Sequence, residues 1–194
     1  MSSSSETKTA LRIWLRAELK AHSPSVAAAT SSQLCARVKT SSAWQNARAV
    51  LLFFPIPGEP DISALLTDAL TAGKLLALPR FNAAANAYEA VRVMDPVREL
   101  ATGPFQVREP VAACPVVALN RLDLALVPGL GFDARGHRLG RGKGHYDRLL
   151  AGFTGMKIGV AFDFQIVTEV PREPHDVALD AIVTPTRWLR AKTD

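Results

Sequence analysis

The chain has 194 residues, 48% of them hydrophobic and 21% charged, which suits one soluble domain with a real core. Its net charge of +5 and pI of about 9.6 point to an anionic partner, either a polyanionic small molecule or nucleic acid. No apolar run approaches the ~20 residues that span a bilayer, and the opening MSSSSETKTALRIW lacks the apolar segment of a secretory signal.

Residues 1–6 read as a disordered tail and 7–194 as a single domain. From Thr7 to about His22, Leu11, Trp14 or Leu15, and Leu19 recur at helical spacing, with Thr7 or Thr9 as candidate caps. Lys8 and Arg12 are four apart and share a helix face, by themselves no more than a solvated basic stripe. Pro24 opens a second helix over 25–42. Cys35, in that helix, and Cys114 form no CxxC pair, which predicts reduced thiols and a cytoplasmic setting.

Ala49 to Phe54 is apolar throughout, as a parallel strand covered on both faces is. The loop PIPGEPD follows its carboxyl end, where ligands of open α/β sheets bind. Glu59 in that loop reads alone as a solvated turn residue. Asp61 is the expected N-cap of a helix over 62–72, which Gly73 ends, and Lys74 to Pro79 is the next strand of a βαβ unit. Tyr88 to Met94 alternates like a strand. Phe105, in TGPFQVREP, reads as core or as the plug of a hairpin. Leu122 to Val127 is a central strand, followed by a helix over 143–152, a strand from Lys157 to Phe162 and a last strand from Leu179 to Thr184. Asp180 at its start reads alone as a strand-edge turn residue. Strands alternating with helices predict a three-layer α/β fold with a mostly parallel sheet.

The stretch 127–148, VPGLGFDARGHRLGRGKGHYDR, holds six glycines with Arg135, Arg138, Arg141, Lys143 and Arg148 between them. Glycine lets the backbone approach a ligand, and loop amides with nearby cations make a phosphate cradle. The spacing is that of neither the P-loop nor the Rossmann fingerprint. Tyr146 and Asp147 end the stretch. Asp147, paired with Asp180, would offer a hard cation such as Mg²⁺ its carboxylates. No Ser-His-Asp or Cys-His motif accompanies them, and His22, His137, His145 and His175 lack zinc-ligand spacing.

Pro128, Gly129, Gly131, Phe132, Asp133 and then Arg138 through Asp147 resemble the signature of the 5-formyltetrahydrofolate cyclo-ligase (methenyltetrahydrofolate synthetase) family. That signature is a Pro-Gly turn, Gly-Phe-Asp, and Arg-Leu-Gly-Arg-Gly-x-Gly-Tyr-Tyr-Asp. The chain departs from it at His145, where the family has its first tyrosine, and a tolerated replacement is expected there. The resemblance implies a fold related to the NagB/RpiA/CoA-transferase architecture. It implies ATP-dependent conversion of 5-formyltetrahydrofolate to 5,10-methenyltetrahydrofolate through a phosphorylated formyl group. It places ATP on Lys8 and Arg12, on Arg138, Leu139, Gly140 and Arg141, and on Gly142, Lys143, Gly144, His145 and Tyr146. Arg141, Lys143 and Tyr146 would be catalytic. Phe54, Glu59 and Phe105 would bind the folate, and Asp147 and Asp180 would hold Mg²⁺.

Lys8 and Arg12 reach the glycine stretch only if the N-terminal helix folds back over it. The basic excess also suits a polyglutamylated folate tail. Two other readings stay open on the residues alone. One is a paralogue that uses ATP on a different formyl or carboxyl substrate; the other is a nucleic-acid-binding module built on RGHRLGRGK. A monomer is expected, with no membrane contact.

Overall fold

The computed structural model describes residues 4–191. Helix α1 (Ser4–Ala21) begins inside the segment expected to be a disordered tail, with Glu6 in its first turn where a carboxylate complements the helix dipole. Residues 4–6 are therefore helical, and 1–3 lie outside the described residues. Thr7 and Thr9 stand within the helix, not at its cap. Ser23 caps α2 (Pro24–Thr40) by accepting from the Val26 amide, and Ser41 caps the short α3 (Ser42–Asn46) through Trp44.

β1 (Ala49–Leu51) leads through α4 (Ser63–Thr71) to β2 (Leu75–Asn82) and β3 (Ala87–Val93). Asp61 accepts from the Ser63 amide at 2.9 Å but stands one residue before the N-cap, which is Ile62. A hairpin of β4 (Leu100–Thr102) and β5 (Arg108–Pro110) precedes β6 (Leu124–Val127). A second, β7 (Gly131–Phe132) with β8 (Arg138–Leu139), lies inside the glycine stretch. Then come α5 (His145–Leu150), β9 (Met156–Val160), β10 (Ala181–Val183) and β11 (Trp188–Arg190).

Seven strands form one mixed sheet in the order β11-β10-β9-β6-β1-β2-β3. The five inner strands are parallel and the two edges antiparallel, an α/β fold with β6 at the centre. The two-residue period of a strand sorts its side chains onto two cores. Val50, Leu76, Leu124, Leu126, Ile158 and Val183 meet Leu34, Val38, Leu65 and Leu66 of α2 and α4. Leu51, Ala77, Ala125, Val127 and Ile182 meet Leu149 and Leu150 of α5 with Phe132 and Phe153. The carboxyl ends of β1 and β6 consequently open on the same edge of the sheet, where the loops after Leu51 and Val127 face each other.

Candidate active site

The glycines of 127–148 do two jobs. Some make room for protein. A Cβ on Gly129 or on Gly159 would come within 2.7 Å of the Phe132 ring, which is fully buried. A Cβ on Gly131 would come within 2.6 Å of Leu15, which docks α1 onto the β7–β8 hairpin with Leu130, Leu139 and Val170. Asp133, also buried, ties the hairpin's turn by accepting from the amides of Arg135, His137 and Val170. The others shape the loop. Gly142 and Gly144 have φ of +110° and +63°, a region that L side chains rarely adopt. These two turns delay α5 until His145, so the helix is six residues long and starts two residues later than expected.

The cations divide as well. Arg138 is buried, donates to Asp147 Oδ1 at 2.9 Å and lies 5.6 Å from the Tyr146 ring centre. Expected on a phosphate, it lines the cleft while it is paired with Asp147. Leu139 alternates to the opposite face and packs against the α1 side, so only its backbone serves the loop. Arg141 is 44% exposed and 3.5 Å from Glu59 Oε1. The ammonium of Lys143 sits 3.7 Å from the Phe105 ring centre. Arg12 donates to the Gly140 carbonyl at 3.1 Å, so α1 does fold back onto the loop. Lys8 goes elsewhere: it binds Glu173 at 2.8 Å and Asp176 at 2.7 Å. Burial pulls its ammonium down, but those carboxylates outweigh the burial and hold it above its ordinary value.

One cleft of about 340 Å³ has Gly140, Arg141, Lys143, Gly144, Tyr146 and Asp147 on one wall. Phe54, Glu59, Tyr88 and Phe105 line the other, with His145 and Pro128 between them. That volume is in the range of small-molecule sites. Glu59 is pushed above the usual carboxylate range by burial, against the pull of Arg141 and the Ile56 amide. Tyr146 stays a neutral phenol, raised far above its ordinary value by burial and then by Glu59. His145 packs among Phe81, Tyr88 and Phe105 with ring centres 5.2–5.6 Å away. Its Nδ1 lies 2.7 Å from the Arg148 guanidinium, which fixes it as acceptor, and its buried Nε2 has no hydrogen-bond partner among the described residues. Burial, then Arg148 and Lys143, lower its pKa, so the imidazole is neutral. Phe81 and Tyr88 escaped the sequence reading as site residues, and Arg148 was read only as one of the loop's cations, not as the partner of His145. They belong to strand and helix positions whose type carries no ligand signal.

The expected pair of metal carboxylates is not brought together. Asp147 lines the cleft. Asp180 precedes β10, at the amino end of a parallel strand and so at the edge of the sheet away from the cleft. Its Oδ2 takes the Lys157 amide at 2.6 Å and the Lys157 ammonium at 3.3 Å. The segment that does reach Asp147 is the preceding one: the Val177 amide points at Asp147 Oδ1, 3.4 Å away. Beside it, Glu173, His175 and Asp176 cluster closely enough to share an ion.

The chain matches the model of the 5-formyltetrahydrofolate cyclo-ligase family over residues 4–185. It is 36% identical to the 5-formyltetrahydrofolate cyclo-ligase of Mycolicibacterium smegmatis over 156 residues, 75% of this chain and 78% of that one. The Escherichia coli K12 protein of the same name is 31% identical over 177 residues, covering 89% and 97%. The solution structure of 5,10-methenyltetrahydrofolate synthetase from Aquifex aeolicus superposes with a TM-score of 0.86 at 33% identity, over 96% of this chain and 94% of that one.

Proposed function

Because the chain belongs to the 5-formyltetrahydrofolate cyclo-ligase family, we propose that it joins ATP and 5-formyltetrahydrofolate in the cleft. The products are 5,10-methenyltetrahydrofolate, ADP and phosphate. The formyl oxygen attacks the γ-phosphorus and the bond to ADP breaks. N10 then attacks the formyl carbon, phosphate leaves with that oxygen, and the N10 proton passes to solvent. A formyl oxygen is a poor leaving group until it is phosphorylated, so the first step makes the second possible.

The observation that carries this reading is that a glycine loop with two cations and a pocket of rings with a buried carboxylate are walls of one cleft. Phosphoryl transfer asks for positioning and charge neutralisation, not for a protein nucleophile. Arg141 and Lys143, with the amides of Gly140, Gly142 and Gly144, take the phosphates. Arg12 braces the loop through the Gly140 carbonyl. Phe54, Phe105 and Glu59 hold the pterin, and the Tyr146 phenol donates at the junction of the two substrates. Asp147 fits a metal-nucleotide, since it offers a hard oxygen donor beside the loop that carries Arg141 and Lys143. Bound there, Mg²⁺ would neutralise phosphate charge. Two buried free cysteines, with Cys35 pushed up to about 11 by burial, suit a reducing cytoplasm.

The test is spectroscopic. Purified protein with 5-formyltetrahydrofolate and Mg-ATP should produce the near-ultraviolet band of the methenyl product only when nucleotide and Mg²⁺ are both present. ATP binding without that band would remove the folate assignment and leave a paralogue with another substrate.

A further inference from the structure

We propose that Phe105 is a positioning residue for Lys143, and that through this pair each substrate strengthens the binding of the other. The inference rests on the reading of the cleft given above and adds a coupling between its two halves. At 3.7 Å from the ring centre, the Lys143 ammonium is well inside the ~6 Å reach of a cation–ring attraction. Among the described residues Lys143 makes no ion pair, so the aromatic face is where its charge rests.

The two partners differ in freedom. Phe105 sits at the tip of the β4–β5 hairpin, next to Gln106, whose φ is +58°. The hairpin's base is fixed: Glu109 takes the Phe81 amide at 3.0 Å, and a Cβ on Gly103 would come within 2.7 Å of the Glu109 carboxyl carbon. Arg108 lies over the Phe54 ring at 4.9 Å, a second tie across the pocket. Phe81 and His145 back the Phe105 ring at 4.9 Å and 5.6 Å. Lys143 instead is exposed on the loop between two positive-φ glycines. The ring is therefore the fixed member and the ammonium the one that re-aims.

One ammonium cannot cover the ring and grip a phosphate at once. A charge-assisted bond to a phosphate oxygen is the stronger of the two, so ATP draws Lys143 away and leaves that face of Phe105 open for the flat pterin. A pterin arriving first displaces the ammonium towards the phosphate loop. Either ligand thus removes a step that the other would have to perform. By linkage the effect is the same in both directions. A solvent-accessible cation–ring contact supports a factor of about two to five.

The experiment measures the dissociation constant of 5-formyltetrahydrofolate with and without a saturating β,γ-imido ATP analogue and Mg²⁺. The full chain is compared with Phe105→Leu, Phe105→Trp and Lys143→Met. The expected result is a two- to fivefold tightening in the native chain, retained with Trp and reduced to about one with Leu, even where Leu weakens folate binding itself. Lys143→Met should bind the folate equally well with and without the analogue, which keeps the test usable if the leucine variant misfolds. Native-like coupling in Phe105→Leu or Lys143→Met, or no coupling in the native chain, overturns the proposal. Failure of the native chain to bind the folate at all would instead sink the cleft assignment, and this inference with it.

Discussion

Replacing Arg141 with alanine should remove most ATP use and little stability. The guanidinium is 44% exposed and its contact with Glu59 is long, at 3.5 Å. A pair of that kind contributes about 0–1 kcal/mol, which in a chain of this size moves the melting temperature by about 2–4 °C at most. On a phosphate the same group makes a charge-assisted hydrogen bond worth about 1.5–3 kcal/mol, or roughly 10- to 150-fold in kcat/KM for ATP. The two magnitudes separate a role in binding from a role in folding. Product absorbance at varied ATP gives the first and a thermal melt gives the second. Arg141→Lys should recover part of the loss, because a point charge remains while the bidentate fork is gone. A kcat/KM within twofold of the native value would refute the cradle assignment. So would a loss matched by a melting shift well beyond 4 °C.

Asp180→Asn should leave the Mg²⁺ concentration needed for half-maximal rate unchanged, whereas Asp147→Asn should raise it; a titration of rate against Mg²⁺ distinguishes them. Glu59 has a folded pKa above the unfolded 4.5. The stability it contributes is therefore full below about 4.5 and lost as pH rises through the folded value. Glu59→Gln should remove that loss of melting temperature with rising pH and stabilise the fold at neutral pH, while weakening folate binding. Phe132→Ala should cost about 3–5 kcal/mol in urea unfolding, because a fully buried ring is removed from a space held open by Gly129 and Gly159.

The α/β alternation was legible because buried parallel strands write themselves as unbroken apolar runs: Ala49 to Phe54 and Leu122 to Val127 both lie where a strand formed, shorter by two or three residues. The hairpin of β7 and β8 was not, since two-residue strands have no period to detect. β11 was missed for the same reason, its three residues following a run already read as the last strand. Within the site, the loop's own residues were readable from their chemistry. Which partner each would find was not. Arg138 and Arg141 look alike in sequence, yet strand alternation buries one on Asp147 and leaves the other at the rim. Val177 and Asp180 are three residues apart, yet the Val177 amide faces Asp147 while Asp180 holds Lys157 at the other edge of the sheet.

The contact of Lys8 with Asp176 joins residues 168 positions apart, from the first helix to the segment before the last parallel strand. A chain growing from its amino end must pass Asp176 before that clasp can form. A nascent chain that has just passed Asp147 owns the whole glycine loop and the α1 face that braces it, but neither β9 nor the carboxylates that seat Lys8. Long-range closures of this sort are slow, since loop entropy must be met before the contact rewards it. Nucleotide competence should thus emerge only after Asp176 has been made, although the recognisable motif, which ends at Asp147, is translated earlier.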